Sequence, residues 1–147
     1  MRIAIASDHG GYRLKAELAQ TLRALNHVCD DLGPHDAEAV DYPDYAEHVA
    51  RGVAQGIYER GILVCDTGQG MAITANKVKG IRAAVCQDVY SARMSKEHNN
   101  SNILCLGERV VGYGLAVEVV KAWLEAGFSN EERHRRRLGK IAALENG

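Results

Sequence analysis

A thiol stands at the mouth of a glycine loop in the segment Cys65-Asp66-Thr67-Gly68-Gln69-Gly70-Met71. The apolar run Ile62-Leu63-Val64 leads into it and the Ala-rich stretch 72–77 leads out. The segment therefore reads as a buried strand, a tight loop and a helix start. Such a loop aims backbone N–H groups at one spot and suits a developing negative charge. A base or nucleophile beside an anion cradle is a catalytic arrangement. Taken alone, Cys65 reads as a packed core cysteine; the glycines behind it are what favour chemistry. Gly68-x-Gly70 falls short of the full G-x-G-x-x-G fingerprint, and no Gly-Lys-Ser/Thr follows it as in a Walker loop.

The elements that must position this loop recur along the chain. Strand-like apolar runs occur at Ile3 to Ala6, Val28 to Leu32, Ile62 to Cys65, Ile81 to Cys86 and Ile103 to Leu106. They are short and nearly continuous in hydrophobicity, as strands covered on both faces should be. Between them lie helical faces: Leu14, Leu18, Leu22 and Leu25; Tyr45, Val49, Val53 and Ile57, opened by Pro43; and Leu115, Val119 and Trp123. Strand alternating with helix predicts an α/β, Rossmann-like three-layer sandwich around a five-stranded parallel sheet with right-handed crossovers.

In such sheets, ligands bind outside the carboxyl ends of the strands. The residues just past those ends are Ser7-Asp8-His9-Gly10-Gly11, Asp41-Tyr42, the Cys65 loop, Gln87-Asp88 leading to Glu97-His98-Asn99-Asn100, and Gly107-Glu108-Arg109. They bring an acid, imidazoles, a thiol, a phenol and an arginine to the edge of an apolar sheet. Each has a plainer reading. Asp8 caps the first helix, His9 bonds its own loop, and His98 sits at a helix C-terminus for dipole reasons. His27, His35 and His48 read as solvated surface residues.

The C-terminal segment differs in character. Ser129-Asn130-Glu131-Glu132 has the pattern of a capping box, with Ser129 as the cap. A basic, weakly apolar helix follows, which predicts a helix lying along a surface or reaching a partner subunit. Arg133 and Arg137 stand at i and i+4, share one helix face and could clamp one phosphate. Arg135 and Arg136 point elsewhere.

Bulk properties exclude several classes. The chain has 147 residues, 46% apolar and 25% charged, with a formal net charge of −1. One compact domain over 1–147 is expected. No whole-chain field recruits nucleic acid or a membrane, and no apolar run approaches the ~18 residues of a membrane span. The four cysteines form no C-x-x-C pair, so a zinc knuckle or redox dithiol is not expected. Free buried thiols fit a reducing cytoplasm. No His and carboxylate pair has metal-site spacing, so no metal is expected.

The ordered blocks Ser7-Asp8-His9-Gly10-Gly11, Asp41-Tyr42-Pro43, Gly61 to Cys65, Thr67-Gly68 with Gly70-Met71, Ala75-Asn76-Lys77, Gly80 to Ala83, His98-Asn99, Asn102, Leu106-Gly107 with Arg109 to Gly112, and Arg133-His134 with Arg137 resemble ribose-5-phosphate isomerase type B. That family also includes galactose-6-phosphate isomerase subunits. The resemblance runs from Ile3 to about Leu138. It implies a cofactor-free conversion of an aldose phosphate to a ketose phosphate through a cis-enediolate, with ribose 5-phosphate and ribulose 5-phosphate as the leading pair. It implies Cys65 as the base between C1 and C2, and Thr67 as the hydroxyl assisting proton transfer at the oxygens. The N–H groups of Asp66, Gly68, Gln69 and Gly70 would form the enediolate loop. Asp8 and His98 resemble the ring-opening residues, His9, Arg109, Arg133 and Arg137 phosphate ligands, and Tyr42 and Asn99 sugar-hydroxyl contacts. It further implies homodimers with shared active sites, some pairing into tetramers, with His98, Asn99 and Arg109 supplied by a different subunit than Cys65.

One residue departs from the family pattern, in which position 66 is commonly glycine. Pointing inward, the Asp66 carboxylate would oppose negative charge on the thiol and on the enediolate. Pointing away, it would offer only its N–H, and in a third arrangement it would contact a substrate hydroxyl. Rival readings are a six-carbon or tetrose phosphate substrate, a non-catalytic nucleotide-binding α/β module, and a DNA-associated protein using the Arg133 to Arg137 helix.

Overall fold

The computed structural model describes residues 1–147. Five parallel strands, β1 (Arg2–Ser7), β2 (Val28–Asp31), β3 (Arg60–Cys65), β4 (Ala83–Val85) and β5 (Ile103–Gly107), form one sheet in the order β2-β1-β3-β5-β4. Six α-helices accompany them: α1 (Tyr12–Ala24), α2 (Tyr42–Ala54), α3 (Gln69–Ala75), α4 (Val89–Glu97), α5 (Tyr113–Glu125) and α6 (Glu132–Leu144). This is the Rossmann-like three-layer α/β architecture that the alternating pattern predicts.

The strand order dictates where the helices go. The chain steps from β1 to β2, reverses past β1 to β3, crosses to the edge at β4 and reverses again to β5. Crossovers of a single hand must change face at each reversal. One core layer accordingly joins Leu14, Leu18 and Leu22 of α1, Ala92 of α4 and Val119, Val120 and Trp123 of α5 to Ile3, Ile5, Ile62, Val64, Leu104 and Leu106. The other joins α2 and α3 to Ala4, Ala6, Leu63, Cys65, Ile103 and Cys105. Successive strand side chains serve opposite layers, so past the opening Arg2 and Arg60 every position of β1, β3 and β5 is apolar or small. The neighbours β1, β3 and β5 send their helices to alternating faces. The loop after β3 therefore lies at a crevice with a diverging loop on each side, the place where open α/β sheets bind ligands.

Several element boundaries differ from the periodicity. Leu25 and Ile57 fall outside α1 and α2 and are exposed, because each helix gives way to a turn before its last periodic residue. The fourth strand keeps only Ala83–Val85 of the expected Ile81 to Cys86, being paired on one side alone at the sheet edge. The capping box does not form. Glu131 occupies the N-cap of α6, and the Ser129 hydroxyl instead lies 2.6 Å from His134 Nδ1. His27, expected in solvent, is half-buried with its Nδ1 3.1 Å from the N-terminal amine.

A buried ion pair ties the site-bearing loops to this frame. Lys15 of α1 is 1% exposed. Its Nζ donates to both Asp31 carboxylate oxygens, at 3.1 and 3.0 Å, and to the Pro34 carbonyl at 2.6 Å. Asp31 also accepts the Gly33 N–H at 2.8 Å, and the Gly33 carbonyl accepts the Ser7 N–H at 3.1 Å. The connection between β2 and α2 is thereby fastened to the end of β1, beside Asp8. Removing one partner of a buried pair strands the other charge, which costs about 3 kcal/mol. Lys15→Ala is expected to lose roughly that much in urea unfolding, and a loss under about 1 kcal/mol would show that Asp31 finds water instead.

Candidate active site

Cys65 is the last residue of β3 and is buried. Its Sγ accepts the Gly68 N–H at 3.1 Å. The other three cysteines are held as thiols. Burial pushes Cys29 up to about 11, raises Cys86, and raises the fully enclosed Cys105 well above its ordinary value. Only Cys65 takes a backbone N–H on its sulfur and faces a loop.

That geometry depends on a backbone-on-backbone contact. Gly68 has φ +85°, and a Cβ there would lie 3.1 Å from the Leu106 carbonyl carbon. A Cβ on Gly107 would sit 2.7 Å from Thr67 Cα. With both side chains absent, the loop lies flat against the end of β5. The Cys65 carbonyl accepts the Glu108 N–H at 2.9 Å and the Asp66 carbonyl accepts the Arg109 N–H at 3.2 Å. Gln87 braces the contact, donating to the Thr67 carbonyl at 2.9 Å and accepting the Gly107 N–H at 3.3 Å. Thr67 Oγ1 accepts the Gln69 N–H at 3.3 Å.

The neighbouring loops add polar groups. Asp8 is buried after β1; its N–H donates to the Val64 carbonyl at 3.2 Å and its Oδ1 accepts the Gly11 N–H at 3.1 Å. It caps the turn while standing beside the Cys65 strand. His9 is exposed, and its Nδ1 accepts the Val40 N–H at 3.2 Å. Tyr42, the first residue of α2, lays its ring against Gly70, where a Cβ would come within 2.6 Å of Cε1. The Asp66 carboxylate lies 3.5 Å from Arg109 Nε, both side chains largely exposed. Within one chain Arg109 therefore stands beside the Cys65 loop, since β5 pairs directly with β3.

The remaining candidates gather at the opposite edge of the sheet. His98 is the C-cap of α4, and the loop it begins feeds the start of β5, where Gly61 pairs with Ile103. Six residues of β3 separate this edge from Cys65 by roughly 16 Å. The His98 ring stacks on His134 with centroids 4.5 Å apart. Arg133 and Arg137 flank His134 on α6; both are exposed, and Arg133 pairs with Glu131 at 2.9 Å. Asn99 is exposed and helps line a cavity of about 630 Å³, which it shares with Asn76, Arg82, Ser101, Ile141 and Leu144. That cavity borders the His98 cluster and not the thiol. One chain therefore carries two separate clusters of candidate residues.

Three contributors stand in blocks that the sequence singles out, without a role assigned to them there. Gln87 braces the glycine loop, Glu108 caps α1 by accepting the Leu14 N–H at 2.6 Å, and His134 is the one buried residue of α6. Gln87 and Glu108 follow strand ends and His134 lies in the Arg133-His134 block, but none of these patterns indicates the partner. No three His, Cys, Asp or Glu side chains converge as a metal-ligand set.

Two outcomes are expected. Gly107→Ala forces a Cβ onto Thr67 and should cost about 2 kcal/mol of stability, as overpacking does. It should also speed alkylation of Cys65 by iodoacetamide, read by mass spectrometry; an unchanged rate would mean that the loop tolerates the displacement. The second concerns acid. Burial, then the neighbouring His98 and Arg133, hold His134 below its usual 6.5. The unfolded chain then takes up the proton first as pH falls. Stability is full above about pH 6.5 and declines as pH drops through that value toward the folded one. His27, lowered by burial and by the N-terminal amine, pulls the same way. Tm should fall between about pH 7 and pH 5, with a shallower slope in His134→Gln.

With this geometry in view, comparison with known proteins is direct. Residues 3–141 match the profile of the Ribose/Galactose Isomerase family. Ribose-5-phosphate isomerase B of Escherichia coli (strain K12) is 45% identical over 144 residues, covering 98% of this chain and 96% of that protein. D-erythrulose-4-phosphate isomerase 2 of Mycolicibacterium smegmatis is 40% identical over 148 residues, covering 99% and 97%. The solved structure of Clostridium thermocellum ribose-5-phosphate isomerase B superimposes with a TM-score of 0.98 at 53% identity, covering 99% of this chain and 98% of the other. The chain belongs to the ribose/galactose isomerase family.

Proposed function

We propose that this protein is an aldose-ketose isomerase that interconverts ribose 5-phosphate and ribulose 5-phosphate by proton transfer. The observation that carries the proposal is the Cys65 thiol, held by the Gly68 N–H at the sheet's switch point, in a chain that matches ribose-5-phosphate isomerase B over nearly its whole length. The chemistry asked of the site follows from the substrate. A proton on C2 of an aldose is a very weak acid, so most of the barrier lies in the charge left on the oxygens. In this reading N–H donors of the loop from Asp66 to Gly70 meet that charge, and losing one such donor typically costs ~10²–10³ in rate.

In this reading Asp8 and His98 open the furanose, transferring a proton from the C1 hydroxyl to the ring oxygen. Cys65, as thiolate, then takes the C2 proton to give the cis-enediolate. Thr67 relays the proton between O1 and O2, and Cys65 returns its proton to C1, giving the ketose and regenerating the thiolate. Tyr42 and Asn99 contact sugar hydroxyls. His9 and Arg109 hold the phosphate from one side, Arg133 and Arg137 from the other, and the phosphate supplies binding energy remote from the reacting carbons. The Asp66 carboxylate is drawn toward Arg109, which supports a role at the rim and leaves its N–H to the loop.

The separation of the two half-sites supports a homodimer in which each site combines Cys65, Asp8 and Arg109 of one subunit with His98, Asn99, Arg133 and Arg137 of the other. The exposed apolar residues Ile141 and Leu144, 45% and 80% accessible, support α6 as the element that reaches the partner. Four free thiols support residence in a reducing cytoplasm, and no helix is long and apolar enough to cross a membrane. A tetrose phosphate is the second reading, favoured by the 40% identity to D-erythrulose-4-phosphate isomerase 2 and by the unusual Asp66.

Comparing kcat/KM across four-, five- and six-carbon aldose phosphates decides between the substrates; a higher value for the tetrose would displace ribose 5-phosphate. Cys65→Ala should lower kcat at least 10²-fold with phosphosugar binding retained, and survival of a tenth of the rate would end the base assignment. Mixed Cys65→Ala and His98→Ala subunits, each inactive, should regain part of the activity through hybrid sites. No recovery after verified subunit exchange would argue for sites contained within one chain.

A further inference from the structure

His134 lies outside every role assigned above, yet it is the only buried residue of α6, 5% exposed on an otherwise solvated helix. Burying an imidazole on such a helix calls for a reason, and its contacts supply one. Its ring stacks on His98, with centroids 4.5 Å apart and a 35° tilt, and Phe128 stands at 6.5 Å on the same ring. Its Nδ1 lies 2.6 Å from Ser129 Oγ. Ser129 in turn donates its backbone N–H to the Glu97 carbonyl at 2.9 Å, immediately before His98. The contacts close a ring: α4 end, Ser129, His134, His98.

His98 itself is exposed and has no side-chain hydrogen bond of its own. A group that must hand a proton to a ring oxygen needs a fixed direction, and a misplacement of about 1 Å can cost ~10² in rate. The flat face of His134 is the surface that restricts the His98 ring. Burial, with His98 and Arg133 alongside, holds His134 below the usual imidazole value.

We infer that His134 is a positioning residue for sugar-ring opening: it clamps the His98 imidazole by stacking, itself locked by Ser129. The inference rests on the reading of His98 as a ring-opening residue. It makes a prediction that a merely structural role does not. Ribose 5-phosphate is mostly a closed furanose and must be opened. Ribulose 5-phosphate cannot close, because its C5 oxygen carries the phosphate. Exchange of the C1 proton of ribulose 5-phosphate with D2O therefore needs the thiol and the glycine loop but no ring opening.

The test measures, by NMR, net conversion of ribose 5-phosphate and C1 deuterium uptake by ribulose 5-phosphate in wild type, His134→Ala, His134→Phe and His98→Ala. His134→Ala should lose about tenfold or more in net conversion while exchange stays within about twofold. His134→Phe keeps a stackable ring, guards against a variant that simply unfolds, and should retain net conversion within about threefold of wild type. Equal losses in both reactions for His134→Ala, or no loss in either, would overturn the inference, as would a His134→Phe loss as deep as that of alanine. If His98→Ala shows no such split, the ring-opening reading of His98 falls and the inference with it. If wild type neither converts ribose 5-phosphate nor exchanges the proton, the fault lies with the isomerase reading of Cys65.

Discussion

Cys65 can face an anion cradle only because two strands end without side chains where they meet. Gly68 and Gly107 bring the loop after β3 and the end of β5 to a separation that no Cβ fits. At that distance the peptide of Gly68 turns its N–H onto the sulfur, and the carbonyls of Cys65 and Asp66 are taken up by N–H groups of the next loop. With those carbonyls taken up by the next loop, the Cys65 loop is held in one conformation. A preorganised set of donors costs nothing to reorient during reaction, which is why such loops stabilise oxyanions.

The sheet order makes that contact productive. With β3 between β1 and β5, Asp8 arrives on one side of the thiol and Arg109 on the other, and helices on alternating faces leave the crevice open. The buried Lys15 pair and the Glu108 cap hold the flanking segments without contributing to the crevice chemistry. Such polar groups are tolerated inside because each donor and acceptor is matched. Their value is positional: they connect α1, the segment after β2 and the loop after β5, which have no reason in sequence to meet.

The same topology sends the imidazole and arginine cluster to the other edge. A helix that follows a strand returns to the sheet's starting edge, so a residue at the end of α4 cannot approach the end of β3 within one chain. His98, His134, Arg133 and Arg137 are coherent with one another and remote from Cys65. A site that needs both halves is one that a second subunit completes. The 4.5 Å stack of His98 on His134 then belongs to the part that such a subunit would present.

Much of this was legible in residue order. Apolar runs of two-sided character fixed the parallel sheet, since a strand covered on both faces has no polar position to spare. The glycine loop after Ile62-Leu63-Val64 marked Cys65 as distinct from the three cysteines enclosed in apolar layers. Local spacing also placed Arg133 and Arg137 on one helix face. Other features rest on contacts between segments 20 to 100 residues apart, which no local pattern encodes. Gln87 bracing Thr67, Glu108 capping α1 and Asp66 meeting Arg109 are of this kind, and Ser129, only five residues from His134, turns from helix cap to imidazole partner under the same packing. Ser129 shows the physical reason most simply. A hydroxyl bonds the best partner that packing brings within reach, and only the closed fold decides whether that is a backbone N–H three residues on or a buried imidazole.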